Sequence, residues 1–279
     1  RIKRSKVRDG EILKRNTLNI KSSIYTTITK MSNKSIITKE YYDTQIPCDW
    51  EISTVGKVFT FLKTYSFSRD QLTYQLTSTK ILNIHYGDIH ATFKKDILDL
   101  QIEKQLPFIK DGLLSKNDTS NTALTDGDLI VADASEDYEG ICECIELQNV
   151  GSNIVTGGLH TFGLRTGHDL VAQGFRTYLF KQPHTRLQLK KIATGISVYS
   201  VSKNNLSQIN ILLPPLNEQK AIARILSTWD EAIRLTQVLI AQKELQKKWL
   251  MQVLLTGKKR LKGFEVKWKE YTYDKLLKV

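Results

Sequence analysis

The strongest constraint on the fold is a long amphipathic helix predicted for residues 218–255. Asn217 can cap its start, Glu218 suits the positive end of the helix dipole, and Gly257 suits the left-handed residue that follows a helix. At 1.5 Å per residue the helix would be roughly 55 Å long, which exceeds a small domain. Apolar residues recur at a spacing of three and four, so we expect a second helix to bury them in an antiparallel or intermolecular coiled coil. The alternative is a core helix of a larger globule. The residues of this apolar stripe are Ile222, Ile225, Leu226, Trp229, Ile233, Leu239, Ile240, Trp249, Leu250, Val253 and Leu254.

The sequence divides into four segments. Residues 1–46 are rich in Lys, Ser and Thr with little periodicity, which predicts an unassigned, poorly ordered or loosely attached arm in which Met31 is a candidate natural start. Residues 47–213 form the predicted globular domain. Residues 214–257 hold the long helix, and residues 258–279 form a basic linker and the start of a second repeat.

Short apolar stretches separated by Gly, Asn and Asp predict an α+β domain of short strands with a few helices. The stretch Phe175–Ile192 has helical spacing, and Pro183 must start, end or kink a helix there. The predicted strands are Glu51–Phe61, Asp128–Asp133, Gly140–Leu147, Leu159–Arg165 and Asn210–Leu213.

A short internal repeat links the beginning of the domain to the end of the chain. Trp50–Phe59 is similar to Trp268–Leu277, at an offset of 218 residues. The Trp, Thr and Lys positions coincide, and two apolar residues follow the Lys in both copies. The pattern predicts that the chain ends where a second copy of the unit begins.

Charge is distributed unevenly along the chain, whose net charge is +12. Residues 1–47 and 214–279 each carry +7, and residues 48–213 carry −2. Within the domain, Asp118–Glu146 holds nine acidic and no basic residues, whereas Thr156–Lys203 holds seven basic residues and one acidic residue. We therefore predict an acidic lobe and a basic lobe. Because basic surfaces attract phosphates and release counterions, nucleic acid is a candidate partner, beside the plainer alternative of a solvated basic surface.

Several function classes find no support in the sequence. No apolar run is long enough for a membrane helix and no signal peptide opens the chain, which favours the cytoplasm. The three cysteines, Cys48, Cys142 and Cys144, predict ordinary strand or core residues, because Cys142 and Cys144 lack a second ligand pair for a metal. There is no glycine-rich cofactor loop, no Asn/Asp-Pro-Pro-aromatic methylation motif and no phosphate-binding loop. Glu265-Val-Lys267 matches part of a nuclease motif without its upstream Asp. We therefore expect no catalytic residue, no metal and no cofactor.

Residues 212–261 contain the stretches LLPPLNEQKAIA, ILSTWDEAI and LMQVLLTGKKRL. They resemble the conserved helical region of specificity subunits in type I restriction–modification enzymes, whose pattern is PPLxEQxxIAxILxxxD, a long helix and LLTGKxRL. Together with upstream similarities, the resemblance covers roughly residues 48–279. The stretches that resemble a target recognition domain are Phe61–Arg69, Tyr86–His90, Gly127–Asp133, Gly158–Phe162 and Ile192–Ser197.

The resemblance implies a non-catalytic, DNA-binding subunit with an α+β fold, in which a mixed target recognition domain precedes a long coiled-coil helix. A full subunit of this family has two recognition domains, each reading half of a split target, and two helices that set the gap. Two methyltransferase subunits and motor-nuclease subunits join it. This chain has one domain and one helix, so it is expected to be a half-subunit or a truncation. Pairing of two copies through the apolar stripe would restore the symmetry, which predicts a homodimer.

Base reading requires fixed donors and acceptors at a groove edge, and affinity requires cations near phosphates. Three polar segments combine such groups, whereas the acidic lobe is expected to face away from DNA or to meet a basic partner subunit. Arg165 and Arg176 either serve phosphates or pair with the acidic lobe. The predicted DNA-contacting residues are Lys63, Tyr65, Ser66, Ser68, Arg69, His85, Tyr86, His90, Arg165, Lys190, Lys191, Thr194, Ser197, Tyr199, Ser200 and Lys203.

Two other hypotheses stay open. The chain could be the recognition module of a fused restriction–methylation enzyme, in which case no separate methyltransferase gene need lie beside it. It could also be a coiled-coil adaptor whose basic surface is incidental, in which case any DNA affinity would not fall steeply with salt.

Overall fold

The computed structural model describes residues 37–276 apart from residues 94, 104 and 168. The chain forms two compact units, the first ending at Leu226 and the second beginning at Ser227, so that the boundary lies within the long helix. Most of the predicted N-terminal arm, including Met31, lies outside the described residues. Within the described range, no helix is both long enough and apolar enough to span a membrane.

The first unit is built from short strands and short helices, which confirms the predicted α+β class. Its strands are β1 (Thr38–Tyr41), β2 (Thr44–Pro47), β3 (Glu51–Thr54), β4 (Thr60–Leu62), β5 (Leu72–Thr73), β6 (Ile81–Ile84), β7 (Ile97–Asp99), β8 (Phe108–Ile109), β9 (Leu129–Ala132), β10 (Ala134–Ser135), β11 (Cys144–Gln148), β12 (Ile154–Gly157), β13 (Thr161–Arg165), β14 (Tyr199–Ser200) and β15 (Asn210–Leu213). Its helical elements are α1 (Val55–Val58), a 3-10 turn (Arg69–Gln71), a π-helical turn (Asp88–Phe93), α2 (Lys116–Thr119), α3 (Arg176–Lys181), α4 (Pro183–Ile192) and α5 (Lys203–Ser207). The long helix α6 (Leu216–Leu254) and the short helix α7 (Tyr273–Leu276) follow.

Two mixed sheets hold the domain together. One has the order β4-β13-β9-β11-β7 with β11 and β7 parallel, and the other has the order β12-β6-β8-β5 with β12 and β6 parallel. The central strand β9 is buried on both faces. Because side chains alternate along a strand, Leu129 and Val131 pack into one apolar core, and Ile130 and Ala132 pack into a second. This is why β9 appears in the sequence as an unbroken apolar run.

Two predicted elements are wrong in extent because a local break divides each of them. The predicted strand Glu51–Phe61 is interrupted by α1, whose Val55 and Val58 side chains are buried in the core. The predicted helix Phe175–Ile192 is divided into α3 and α4. Pro183 occupies the first turn of α4, where a missing N–H leaves no helix hydrogen bond unmade.

Strands β1 and β2 form an antiparallel hairpin that packs against the domain. Tyr41 and Ile46 are buried together with Leu212 of β15, and Lys39 Nζ donates to the carbonyl oxygen of Cys48 at 3.1 Å. The prediction of a loosely attached arm is therefore wrong for residues 38–46, because apolar contacts fix them to the sheet β3–β15.

The long helix begins two residues earlier than predicted. It starts at Leu216, so Asn217 lies inside the helix and does not cap it. The carbonyl oxygen of Pro215 accepts the amide of Glu218 at 2.8 Å, and the Glu218 carboxylate accepts the indole N–H of Trp50 at 3.1 Å. Contacts with the strand region, in place of a capping side chain, thus fix the first turn.

Buried Gln219 ties the start of α6 to the domain. Its Oε1 accepts the amide of Ala172 at 2.8 Å, and its Nε2 donates to the carbonyl oxygens of Leu170 and Pro214 at 3.1 and 2.8 Å. Ile222, one turn further on, packs against the core of the same domain. Ile222 of the predicted stripe therefore has an intramolecular partner, and its contact with a second helix stays a prediction.

Beyond its first turns, α6 leaves many apolar side chains exposed. Ile225, Leu239, Val253 and Leu254 of the predicted stripe are half-buried. Ten large apolar residues on the helix are exposed in the isolated chain, and this apolar surface is consistent with the coiled-coil prediction without testing it. They are Leu226, Trp229, Ile233, Leu235, Val238, Ile240, Leu245, Trp249, Leu250 and Met251.

The end of the second unit supports two observations made on the sequence. Gly257 has a φ of +71°, the left-handed conformation predicted for the residue after the helix. Helix α7 lies 218 residues after α1, at the offset of the sequence repeat. Strand β3 precedes α1 and pairs with β15, whereas residues 269–272 have no strand pairing within the described chain.

Candidate nucleic-acid interface

A glycine-containing loop between β12 and β13 brings two of the three predicted polar segments together. The carbonyl oxygen of Gly157 accepts the amide of Tyr65 at 2.8 Å, and the carbonyl oxygen of Leu159 accepts the amide of Tyr86 at 3.2 Å. A Cβ atom on Gly158 would lie 2.4 Å from Asn83 Oδ1, so only glycine allows this close approach. The loop therefore joins the segment that follows β4 to the segment that follows β6.

Three aromatic rings meet at this junction. The ring of Tyr86 lies edge-on to the rings of His90 and His160, with centroid distances of 6.2 and 5.5 Å. His160 Nδ1 lies 3.1 Å from Asp133 Oδ1, and His90 Nε2 lies 3.0 Å from the carbonyl oxygen of Ala134. The side chain of His160 is half exposed, whereas Tyr86 and His90 are partly buried, so His160 is the member of this group that solvent reaches most.

The third predicted segment reaches the same edge through β10 and β14. Ala134 pairs with Ser200 and Ser135 pairs with Tyr199 in an antiparallel ladder. The carbonyl oxygen of Asp133 accepts the amide of Val201 at 2.9 Å. Residues 134 and 133 thus contact both the histidine pair and the Tyr199 segment, and all three segments are connected.

Lysine and arginine side chains border these segments. Lys63 Nζ lies 4.8 Å from the centroid of the Tyr65 ring, and Lys203 Nζ lies 5.1 Å from that of Phe61. Arg69 Nη2 donates to the buried carboxylate of Asp88 at 2.7 Å, and 52% of the Arg69 side chain remains exposed. We call the exposed part of the three segments, together with His160, the polar face. Its members are Lys63, Ser66, Ser68, Arg69, His160, Lys191, Thr194, Ser197, Ser200 and Lys203.

Two predicted contact residues are buried and support the polar face from within. The hydroxyl of Tyr65 donates to the carbonyl oxygen of Asp118 at 2.5 Å and lies 2.9 Å from Thr122 Oγ1. His85 is 2% exposed, and its burial lowers the pKa of the imidazole. Its backbone amide donates to Asp88, the partner of Arg69. Buried side chains have no surface to offer a base, so we assign Tyr65 and His85 to the support of the contact residues.

The predicted acidic and basic lobes are not separate surfaces. Arg165 donates to both carboxylate oxygens of buried Asp128, with Nη2 at 2.5 Å from Oδ2, and this hydrogen bond raises the pKa of the guanidinium. Strand β13 lies beside β9 in the sheet, which places Arg165 next to the residue that precedes β9. Of the two alternatives for Arg165, the structure shows pairing with an acidic residue. Its guanidinium is bonded within the domain.

Two further bases from the basic stretch are engaged in the same way. Lys190 Nζ lies 2.5 Å from Glu139 Oε1 and 5.8 Å from the centroid of the Tyr138 ring, whose hydroxyl donates to the carbonyl oxygen of Lys190 at 2.6 Å. Arg176 is 1% exposed and donates to the carbonyl oxygens of Gly127 and Val171. Arg176 therefore has no surface for a phosphate, and Lys190 offers a charge that is largely compensated.

The cysteine pair lies within the apolar core. Cys142 and Cys144 are buried, and burial raises the pKa of the Cys142 thiol to about 12. A thiol with so high a pKa is a poor nucleophile and a poor metal ligand at neutral pH. Within the described residues, no group of three His, Cys, Asp or Glu side chains is arranged to hold a metal ion.

Comparison with known proteins identifies the family. The model of the type I restriction modification DNA specificity domain matches residues 47–245, which includes the α+β domain and most of α6. The chain belongs to this family. The resemblance that the PPLNEQ and LLTGKKRL motifs suggested is thereby confirmed.

Individual relatives are similar to this chain over shorter stretches than the family model is. The chain is 34% identical over 100 residues to a Methanocaldococcus jannaschii protein described as the type I restriction enzyme MjaX specificity subunit, covering 36% of this chain and 23% of that protein. It is 36% identical over 89 residues to the type I restriction enzyme MjaVIII specificity subunit of the same organism, covering 32% of this chain and 21% of that protein. The matched part is thus about a quarter or less of each relative's length.

One of the solved structures that resemble this chain shows the same fold at low sequence identity. A chain from a structural study of complex assembly and conformational transition of the type I R-M system has a TM-score of 0.52 at 14% identity, covering 87% of this chain and 53% of that chain. The S subunit of the type I restriction–modification system from M. genitalium has a TM-score of 0.46 at 14% identity, covering 80% of this chain and 47% of that chain.

Two residues in or beside the polar face were not singled out by the sequence. His160, a member of the face, links the Tyr86 ring to Asp133. Tyr138 lies beside the face, with its ring 5.2 Å from that of Tyr199 and its hydroxyl bonded to the carbonyl oxygen of Lys190. The glycine pair before His160 was a usable signal, since paired glycines often mark a close backbone approach. Tyr138 lies in an acidic stretch, and nothing in its local sequence indicates its partner.

Proposed function

We propose that this chain is a DNA-reading specificity subunit of a type I restriction–modification enzyme, which contacts one half of a bipartite target and supplies no catalytic group. The observation that carries the proposal is the family match over residues 47–245, because it includes both the domain with the polar face and most of the long helix. In this proposal residues 47–213 are the target recognition domain and residues 214–257 are the spacer helix.

The electrostatics of the polar face support this function. Residues 170–217 contain six basic residues and no acidic residue, and within this range Lys181, Lys191 and Lys203 are exposed, of which Lys181 is paired with Asp96. Cations on such a surface bind phosphates and release counterions, while hydroxyl and imidazole groups are suited to base edges. Arg165 and Lys190 are paired with carboxylates, so the proposed phosphate contacts shift to Lys63, Lys191 and Lys203.

The exposed apolar residues of α6 support the proposed assembly. Ten large apolar side chains on one surface helix are far more than an isolated soluble helix normally exposes. We propose that a second copy of the chain packs antiparallel against α6, giving a homodimer with two recognition domains. Methyltransferase subunits, and motor-nuclease subunits where the system restricts DNA, are the proposed further partners.

The salt dependence of DNA binding tests the proposal. The full chain is titrated into fluorescent duplex DNA at several salt concentrations, and the slope of log affinity against log salt is compared between variants. Each lost phosphate contact is expected to reduce the slope by about 1, so Lys203→Ala should show that reduction. Lys80→Ala is the matched control, because Lys80 is exposed at the opposite end of β6 from His85. Equal slopes for the wild-type and Lys203→Ala chains, or binding that does not respond to salt, would contradict the proposed surface.

Two alternatives give different results. If the chain is a coiled-coil adaptor that does not act on DNA, its affinity for duplex DNA will not fall steeply as the salt concentration rises. For the recognition module of a fused enzyme, no separate methyltransferase gene lies beside this one. Co-purification with a neighbouring methyltransferase, followed by mapping of methylated bases across a genome, distinguishes the subunit from the fused module.

A further inference from the structure

The turn between α4 and β14 is closed and tightly constrained. The amide of Thr194 donates to the carbonyl oxygen of Ser200 at 3.0 Å, and the amide of Ser200 donates to the carbonyl oxygen of Thr194 at 2.8 Å. Gly195 has a φ of +133°, and a Cβ atom there would lie 2.0 Å from the carbonyl oxygen of Val198. Only glycine fits at this position, so the backbone of the turn has a defined path.

The base of the turn is fixed to the domain on two sides. Ser200 pairs with Ala134 in the β10–β14 ladder. The ring of Tyr199 lies 5.2 Å from that of Tyr138 in an edge-on contact. Thr194, Ser197 and Ser200 of the turn are members of the polar face, so the turn belongs to the surface that we propose to contact DNA.

The tip of this turn is apolar and exposed. Ile196 is 92% exposed, the largest exposed fraction of any large apolar residue in the described chain, and Val198 is 50% exposed. A scattered surface isoleucine on a mobile loop is ordinary in soluble proteins. Here a constrained turn holds the isoleucine outward, with the exposed hydroxyl of Ser197 beside it.

The surroundings of the tip favour a nucleic-acid groove over a protein surface. Exposed Lys191 precedes the turn and exposed Lys203 follows it, and Glu139, which is fixed near the base of the turn, is paired with Lys190. Binding sites for proteins are usually centred on Trp, Tyr or Arg, and the tip has none of these. A DNA major groove offers phosphates along its edges and the C5-methyl group of thymine on its floor.

We propose that Ile196 reads a thymine by apolar contact with its C5-methyl group in the major groove, while the flanking lysines bind the adjacent phosphates. This inference rests on the proposed DNA-reading function. It adds a specificity-determining residue that contributes through an apolar contact, whereas the other members of the polar face are hydrogen-bonding or charged groups.

Removal of single methyl groups from the DNA tests the contact directly. The full wild-type chain first selects its preferred duplex from a random library. Each thymine of that duplex is then replaced by deoxyuridine, which removes one methyl group, and dissociation constants are measured for the wild-type and Ile196→Ala chains. One deoxyuridine substitution is expected to weaken wild-type binding about fourfold, the value for one buried methyl group. The same substitution should leave binding by the Ile196→Ala chain nearly unchanged, because the methyl group has already lost its partner.

A matched variant separates this contact from a general loss of apolar surface. Ile102→Ala changes an isoleucine that is 76% exposed outside the turn, and it should retain the deoxyuridine sensitivity of the wild-type chain. If Ile196→Ala and the deoxyuridine substitution weaken binding independently, so that their effects on the binding free energy add, the inference is overturned. A selected site that contains no thymine would overturn it as well. Neither result would contradict the proposed DNA-reading function. Unchanged DNA binding by Ile196→Ala with reduced capture of a methyltransferase subunit would also overturn the inference, in favour of a protein contact. Absence of any salt-dependent duplex binding by the wild-type chain would instead remove the proposed function itself.

Discussion

Glu146 is a carboxyl group at the centre of the domain, and its substitution should change how stability depends on pH. It lies on β11, is fully buried, and its Oε1 accepts the amide of Gly174 at 2.6 Å. Its Oε2 is buried without a hydrogen-bond partner among the described residues. Burial raises the pKa of this carboxyl from 4.5 to about 7, although the Gly174 amide and the Arg176 guanidinium act in the opposite direction.

The sign and size of the effect follow from this pKa. The folded chain holds the proton more tightly than the unfolded chain, so the contribution of Glu146 to stability is fully present below pH 4.5 and is lost as the pH rises through 7. A difference of this size between folded and unfolded pKa corresponds to about 3 kcal/mol, at 1.36 kcal/mol for each pH unit. Glu146→Gln removes the titration while an amide oxygen can still accept the Gly174 amide. The variant should therefore be more stable than the wild-type chain at pH 8, by up to about 3 kcal/mol, and should lose this advantage near pH 5.

Urea unfolding at pH 5, 6, 7 and 8, monitored by circular dichroism, measures the difference between the two chains. Histidine titrations occur in both and cancel in that difference. Exposed Glu136→Gln is the control, and it should follow the wild-type curve within about 0.5 kcal/mol. Parallel pH curves for the wild-type and Glu146→Gln chains would refute the reasoning, because they would show that the carboxylate has the same proton affinity in the folded and unfolded states.

Two further predictions concern the long helix. Gln219→Ala removes the buried side-chain amide that pairs with Ala172 and two carbonyl oxygens. It should lower the free energy of unfolding, measured by urea titration, by roughly 2–4 kcal/mol. A loss no larger than that caused by the exposed control Lys220→Ala would contradict this prediction. Trp229→Asp places a charge in the exposed apolar stripe and should weaken self-association at least about tenfold in analytical ultracentrifugation. Ala241→Asp, outside the predicted stripe, should dimerise like the wild-type chain, and a wild-type chain that is monomeric at all concentrations would exclude the homodimer.

The features that could be predicted from the sequence are those determined by local spacing. The 39-residue helix follows from apolar positions three and four apart, and β9 follows from an apolar run bounded by turn residues. The pairing of segments is different, because it depends on neighbours that are distant in the sequence. Arg165 lies beside Asp128 only because β13 and β9 are adjacent. A residue of the basic stretch and a residue of the acidic stretch therefore form an ion pair inside the domain.

The same non-local pairing explains why the residues of the candidate site differ in part from those that the sequence predicts. The sequence singled out three polar segments as candidates for DNA contact, but it could not distinguish Tyr65 and His85, which are buried, from Arg69, which stays half exposed. Burial of a polar side chain depends on which strand covers it. His160 was missed for the converse reason, since its position beside Tyr86 and Asp133 results from the close packing of the glycine loop.

In this chain, the residues that attract DNA at long range differ from those proposed to discriminate between bases. Residues 48–213 carry a net charge of −2, and much of the basic stretch is neutralised by internal partners, so the domain has little long-range attraction for DNA. Residues 214–279 carry +7 and lie beyond the domain in the sequence. Long-range attraction scales with net charge and is screened by salt, whereas base discrimination depends on a few fixed groups at contact distance. Charge changes after residue 213 should therefore alter the association rate and its salt dependence, and changes in the polar face should alter which duplexes are preferred.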